Sequence, residues 1–135
     1  MYIDKNLRFS SSQALAGASG TASTDLLDLG ADRDLTALGR PLYVVVVVEA
    51  SGGTSPTLQV TLQTDDNSSF SSAAAIYTGP ALAQATNRAQ IIPMPHENER
   101  YLRLTYTQGG TSPTATVSAF ITDSPQAWQA TTDGI

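Results

Sequence analysis

The sequence predicts an all-β protein: an antiparallel β-sandwich or jelly roll of about eight short strands, with an extended N-terminal arm. Three observations predict it. Apolar residues alternate with polar ones or run in short β-branched blocks. Clusters of Gly, Pro, Asn, Asp and Ser recur between those blocks along the chain, as in sandwiches and small barrels. No amphipathic helical pattern extends beyond about two turns.

The arm comes first, over residues 1–23. In Tyr2-Ile3-Asp4-Lys5-Asn6-Leu7-Arg8-Phe9 the alternation is imperfect, as in an edge strand or an arm that relies on other surfaces for burial. Residues 10–25 are rich in Ser, Ala, Gly and Thr and have little to bury. A short helical turn over residues 11–18 and an extended arm clinging to a neighbour are both open. Thr24-Asp25-Leu26-Leu27-Asp28-Leu29-Gly30 reads as a strand ending in a turn, and residues 31–41 as a loop.

The core signal begins at Leu42-Tyr43-Val44-Val45-Val46-Val47-Val48. This run is apolar on both faces, as expected of a strand buried on both sides. Ser51-Gly52-Gly53-Thr54-Ser55-Pro56 has turn composition. Leu58, Val60 and Leu62 then alternate with Gln59, Thr61 and Gln63, the pattern of a half-buried strand. Asp65-Asp66-Asn67-Ser68-Ser69 is a loop by composition. Short strands follow over residues 73–77 and 88–92, closed by Gly79-Pro80 and by Pro93 with Pro95. Residues 101–106 and 114–122 form two more strands, the second with Val117, Ala119 and Ile121 on one face. Residues 124–135 are a polar tail containing Trp128.

One element repeats. Gly52-Gly53-Thr54-Ser55-Pro56-Thr57 returns as Gly109-Gly110-Thr111-Ser112-Pro113-Thr114. Two similar hairpins in the two halves of a sandwich would account for it. So would common turn chemistry that arose twice.

At 135 residues the chain is one domain, long enough to bury roughly 68–70% of its unfolded surface and fold without staples. It has no cysteine, which excludes disulfides and thiolate metal sites. Only 14% of residues are charged, against about 25% in an average domain. The net charge is −5 and the seven Lys and Arg are scattered, which argues against nucleic acid and against anionic membrane as partners. The N-terminus lacks a signal-peptide pattern, and no apolar run approaches the roughly 18 residues of a membrane helix. The expected place of synthesis is the cytoplasm.

Chemistry-bearing residues are few. His96 is the sole histidine, in the loop Pro93-Met94-Pro95-His96-Glu97-Asn98-Glu99, with no Gly-x-Ser-x-Gly elbow anywhere. Zinc needs about four N or S ligands, more than this chain offers. Asp65-Asp66-Asn67 and Asp32-Arg33-Asp34 offer oxygens for calcium, but neither continues as an EF-hand, and Asp and Asn cap their own backbone in loops. Glu97 and Glu99 lack the aromatic platform of a sugar site. No catalytic residue, cofactor or metal is expected. Contact surfaces are the remaining route to function. The candidate interface residues are Tyr2, Ile3, Leu7 and Phe9 in the arm and Trp128 in the tail, since aromatic anchors dominate interfaces. Each has a plainer reading as a lid on its own core.

Several stretches resemble the small capsid cement, or decoration, proteins of tailed bacteriophages, of the Bordetella-phage type. They are Asp4-Lys5-x-Leu7-x-Phe9-Ser10 with Gln13-Ala14, Thr24-Asp25-Leu26-Leu27-Asp28-Leu29-Gly30, Gly39-Arg40-Pro41-Leu42-Tyr43-Val44-Val45-Val46, Leu62-Gln63-Thr64-Asp65-Asp66-Asn67-x-x-Phe70, Glu99-Arg100-Tyr101-Leu102-Arg103-Leu104-x-Tyr106 and Val117-Ser118-Ala119-Phe120-Ile121-Thr122. Their order and spacing carry the resemblance, not any one motif. It implies a jelly-roll homo-oligomer, dimer or trimer, on the exterior of an icosahedral virion shell, bridging subunits of the major capsid protein. Family members often carry a Gly-Lys where this chain has Ser112-Pro113-Thr114-Ala115-Thr116; if that turn touches the shell, the contact chemistry differs here. Other readings are a tail or head-completion jelly roll, a carbohydrate-binding module and, least, a small hydrolase through His96.

Overall fold

A computed structural model describes residues 7–17, 20–30, 42–95 and 99–123. It is all-β, as the patterning predicts. The strands are β1 (Arg8–Ala16), β2 (Thr21–Ala22), β3 (Leu27–Asp28), β4 (Tyr43–Asp65), β5 (Ala74–Thr78), β6 (Leu82–Ala83), β7 (Arg88–Pro93) and β8 (Tyr101–Thr122). All pair antiparallel in one eight-stranded sheet.

The strands are not uniformly short. β4 has 23 residues and β8 has 22, and the two pair along almost their whole length. A straight strand of that size would span about 76 Å, against a radius of gyration near 14 Å for a chain of this length. The strands must therefore bend, and the repeated hexapeptide is where they do so. The register shifts between Gly52 and Thr54 and again between Thr54 and Thr57, with Thr54 opposite Thr111. The two copies of the repeat are paired partners in one ladder, not the turns of two hairpins. This corrects the turns expected at Ser51–Pro56 and after Gly109. Gly-Gly-Thr-Ser-Pro contains the left-handed residues that a bulge needs as much as a turn does. Gly53 (φ +99°) and Gly110 (φ +100°) take that conformation, as do Ser55 (φ +49°) and Ser112 (φ +47°).

On one side of the bulges, residues 43–48 of β4 lie between β7 and the C-terminal half of β8, with β1 beyond. On the other side, residues 57–65 lie between the N-terminal half of β8 and strands β5 and β6, with β2 and β3 beyond. One core holds residues of both halves. Phe9, Val44, Val46, Val117 and Ile121 come from the first and Leu58, Val60, Leu62, Leu102 and Leu104 from the second. The sheet is thus folded over as a sandwich. Val45 and Val47 meet Phe120 in a smaller cluster separate from that core, which accounts for the two-sided apolar run from Leu42. In the second half of β4, Leu58, Val60 and Leu62 are buried and Gln59, Thr61 and Gln63 are partly exposed, the predicted alternation.

Residues 11–16 form no helical turn; they belong to β1, which pairs with β8 of its own chain. A buried polar chain explains why so serine-rich a segment is held there. Ser10 Oγ donates to Gln13 Oε1 at 2.7 Å, which leaves the Tyr106 hydroxyl, 2.7 Å away, to donate to Ser10. Gln13 also accepts from the Thr24 amide and donates to the Ala22 carbonyl. The loop predicted over residues 31–41 and the tail over 124–135 lie outside the described residues.

Candidate binding surface

Of the candidate interface residues, Tyr2, Ile3 and Trp128 lie outside the described residues. Leu7 is half-buried and packs against the core. Phe9 is fully buried within its own chain, so it is corrected from surface anchor to core residue. The physical reason is register. Arg8 stands opposite Phe120 and Ser10 opposite Ala119, and the irregularity between them turns Phe9 inward.

His96 and Glu97 also fall outside the described residues. The loop at residues 65–72 is well defined. Asp65 has no solvent exposure and accepts from the Asn67 amide (3.0 Å), the Ser72 amide (2.8 Å) and the Ser72 hydroxyl. Burial pushes its carboxyl up, but the Ser72 amide, the Asp66 side chain and the Asn67 amide outweigh that and hold it below the ordinary range. Carboxylate oxygens of Asp65, Asp66 and Glu99 lie within 4.8 Å of one another. The Asp65 oxygens are already committed to the loop backbone, the capping role that the composition suggests.

That loop carries Phe70, whose φ of +53° is an outlier for a bulky residue. Its amide donates to the Asn67 carbonyl at 3.0 Å, closing the turn. The ring lies under the Arg103 guanidinium, 4.4 Å from its centroid, while Arg103 Nε donates to Gln63 Oε1 at 2.8 Å. Phe70, Arg103 and Ser68 line a cleft of about 330 Å³ together with residues 22–26, Leu26 among them. Leu26 is 40% exposed there, and Ile91 on β7 is 43% exposed elsewhere. Nearby, Arg100 grips Asp28 with two N–H groups, at 2.8 and 3.1 Å, and its guanidinium lies over the Tyr101 ring. That pairing, together with the Gly30 amide, lowers the Asp28 carboxyl from its ordinary value.

This cleft was not foreseen in the sequence. Arg103 sits on an alternating strand and reads as solvated, while Phe70 sits in a loop. Only the pairing of β4 with β8, which sets Gln63 opposite Arg103, brings the loop after β4 beneath Arg103.

Compared with known families, the chain matches a family model described as Bbp16 over residues 9–121. No curated protein matches it.

Proposed function

Since this chain belongs to the Bbp16 family, whose name points to a Bordetella phage protein, we propose that it is a structural virion protein, a capsid cement protein on the outside of the head. The single observation behind the phage part of the reading is the family match, which begins in β1 and ends near the close of β8; the cement part rests on the sequence resemblance. That resemblance covers nearly the whole chain, from residue 4 onward. The partners on this reading are the major capsid protein and further copies of the chain itself, without catalysis.

The mechanism is physical. A unit that touches several shell subunits binds only where they are correctly spaced, so it favours the mature shell over any state that lacks the site. Many copies acting on one particle multiply small contact energies, because each shell subunit, once held, keeps its neighbours near their own contacts. A rigid sandwich suits that task, since little ordering accompanies binding.

The test is co-sedimentation of the purified protein with mature shells that lack a cement protein. Saturable uptake at hundreds of copies per shell, with a raised shell melting temperature, is the expected result. Absence of uptake by expanded shells removes the cement reading and leaves a tail or head-completion part.

A further inference from the structure

We infer that the cleft between Arg103 and Leu26 is a docking site for an extended segment of a partner protein, one that presents a carboxylate side chain beside an apolar one. The inference does not depend on which part of a virion the chain forms.

Four observations carry it. The first is the state of Arg103. Its ring contact with Phe70 and its Nε bond to Gln63 fix the plane of the guanidinium, and its terminal nitrogens make no hydrogen bond among the described residues. A planar fork held in place with its outer N–H groups unused is the arrangement that receives a carboxylate with two parallel bonds. Gln63 is itself held, since its Oε1 also accepts from the Thr105 hydroxyl at 3.0 Å.

The second is the strain at Phe70. A phenylalanine at φ +53° persists only where its surroundings over-determine it. Here the buried Asp65 does so, by gathering the Asn67 and Ser72 amides. The loop thus holds an aromatic platform under a cation.

The third is volume. At about 330 Å³ the cleft stands at the small end of the range for specific sites, about 300–1,000 Å³. That suits side chains of a peptide better than a large cofactor. The fourth is the rest of the lining. Leu26 is 40% exposed and supplies the apolar contact, with Asp25 beside it in the lining. A free inorganic anion would leave Leu26 unused.

The test uses the full chain labelled with nitrogen-15. It is titrated with acetyl-Glu-Leu-amide, with the neutral isostere acetyl-Gln-Leu-amide, and with inorganic phosphate. Resonances of Arg103 Nε–H and of the amides at residues 23–26 and 68–70 are followed. The expected result is saturable shifts with the glutamyl peptide, and binding at least about tenfold weaker for the glutaminyl peptide, as loss of a charge-assisted bond implies. Arg103→Gln removes the preference, and Arg103→Lys restores it only in part. Equal binding of the two peptides, or no saturation by either, overturns the inference and makes Arg103 a cover for Phe70. Phosphate that binds the same residues as tightly as the glutamyl peptide overturns it in favour of a general anion site. The peptide comparison needs only the unaltered protein, so it decides the matter even if a variant fails to fold.

Discussion

Gly53 and Gly110 show how a single residue can limit a whole strand. A Cβ on Gly53 would lie 2.7 Å from the Ser112 carbonyl oxygen, and one on Gly110 would lie 2.6 Å from that of Ser55. Both contacts are with backbone, and both glycines have positive φ. Gly53→Ala and Gly110→Ala are each expected to cost more than the roughly 1–3 kcal/mol of a strained backbone alone. Gly17 is the control. Its φ is +82°, yet nothing lies within 4 Å of its added Cβ, so Gly17→Ala pays only for the dihedral. Urea unfolding of the three variants checks the order. At Asp65 and Asp28 the prediction concerns pH. Both carboxyls titrate lower in the folded chain than in the unfolded one. Their contribution to stability is therefore complete above the unfolded value of about 3.9 and is lost as pH falls through the folded values. Melting temperature measured from pH 6 down to pH 2 should fall in that acid window, and less steeply in Asp65→Asn than in the parent.

At the scale of the element, β1 is held by polar contacts that its own sequence does not reveal. Ser10 is buried because Tyr106, 96 residues later, arrives over it from the other half of the sandwich. Burial pushes the Tyr106 phenol above its ordinary range, with the Ser10 bond pulling the other way, so the hydroxyl stays protonated and remains a donor. Tyr106→Phe removes one hydrogen bond, an expected loss of about 0.5–1.5 kcal/mol. Ser10→Ala is expected to cost more, about 1–3 kcal/mol, because it leaves a buried phenol without an acceptor. Thermal melts of both variants test this ranking. The same element marks where sequence reasoning stops. Period-two alternation identifies which face of the second half of β4 is buried, because burial there follows from side chains in one strand. It cannot identify what lies opposite. Ser10, Gln13 and the serine-rich stretch around them look like a solvated arm until β8 is laid beside them. Gly-Gly-Thr-Ser-Pro reads as a turn because turns and bulges call on the same dihedrals. The cleft was hidden for a related reason: Phe70 and Arg103 meet only through the pairing of two strands far apart in the chain.

For the molecule as a whole, β4 and β8 each run through both halves of the sandwich, and one core is shared by both. Neither half can keep its buried face if the other opens, so unfolding should be a single transition. Circular dichroism and aromatic fluorescence should report the same midpoint in urea; separate midpoints would show that the halves are independent. Leu62, with no exposure, lies in that common core. Leu62→Ala is expected to cost about 2–5 kcal/mol. Leu26→Ala, at an exposed position in the cleft, should stay within about 0.5 kcal/mol by the same assay. Pairing across so many intervening residues also places the chain among slow folders, in the millisecond-to-second range, which stopped-flow fluorescence can measure.

The facing hexapeptides have a consequence for descent. Each copy occupies the space into which the other would otherwise vary: the Thr57 hydroxyl crowds Gly109, the Thr114 hydroxyl crowds Gly52, and carbonyls of one copy stand against the second glycine of the other. A side chain gained in either copy collides with its twin, so neither copy can drift without a compensating change across the ladder. Lineages of this protein should therefore keep or lose the two motifs together, since each is the mould for the other.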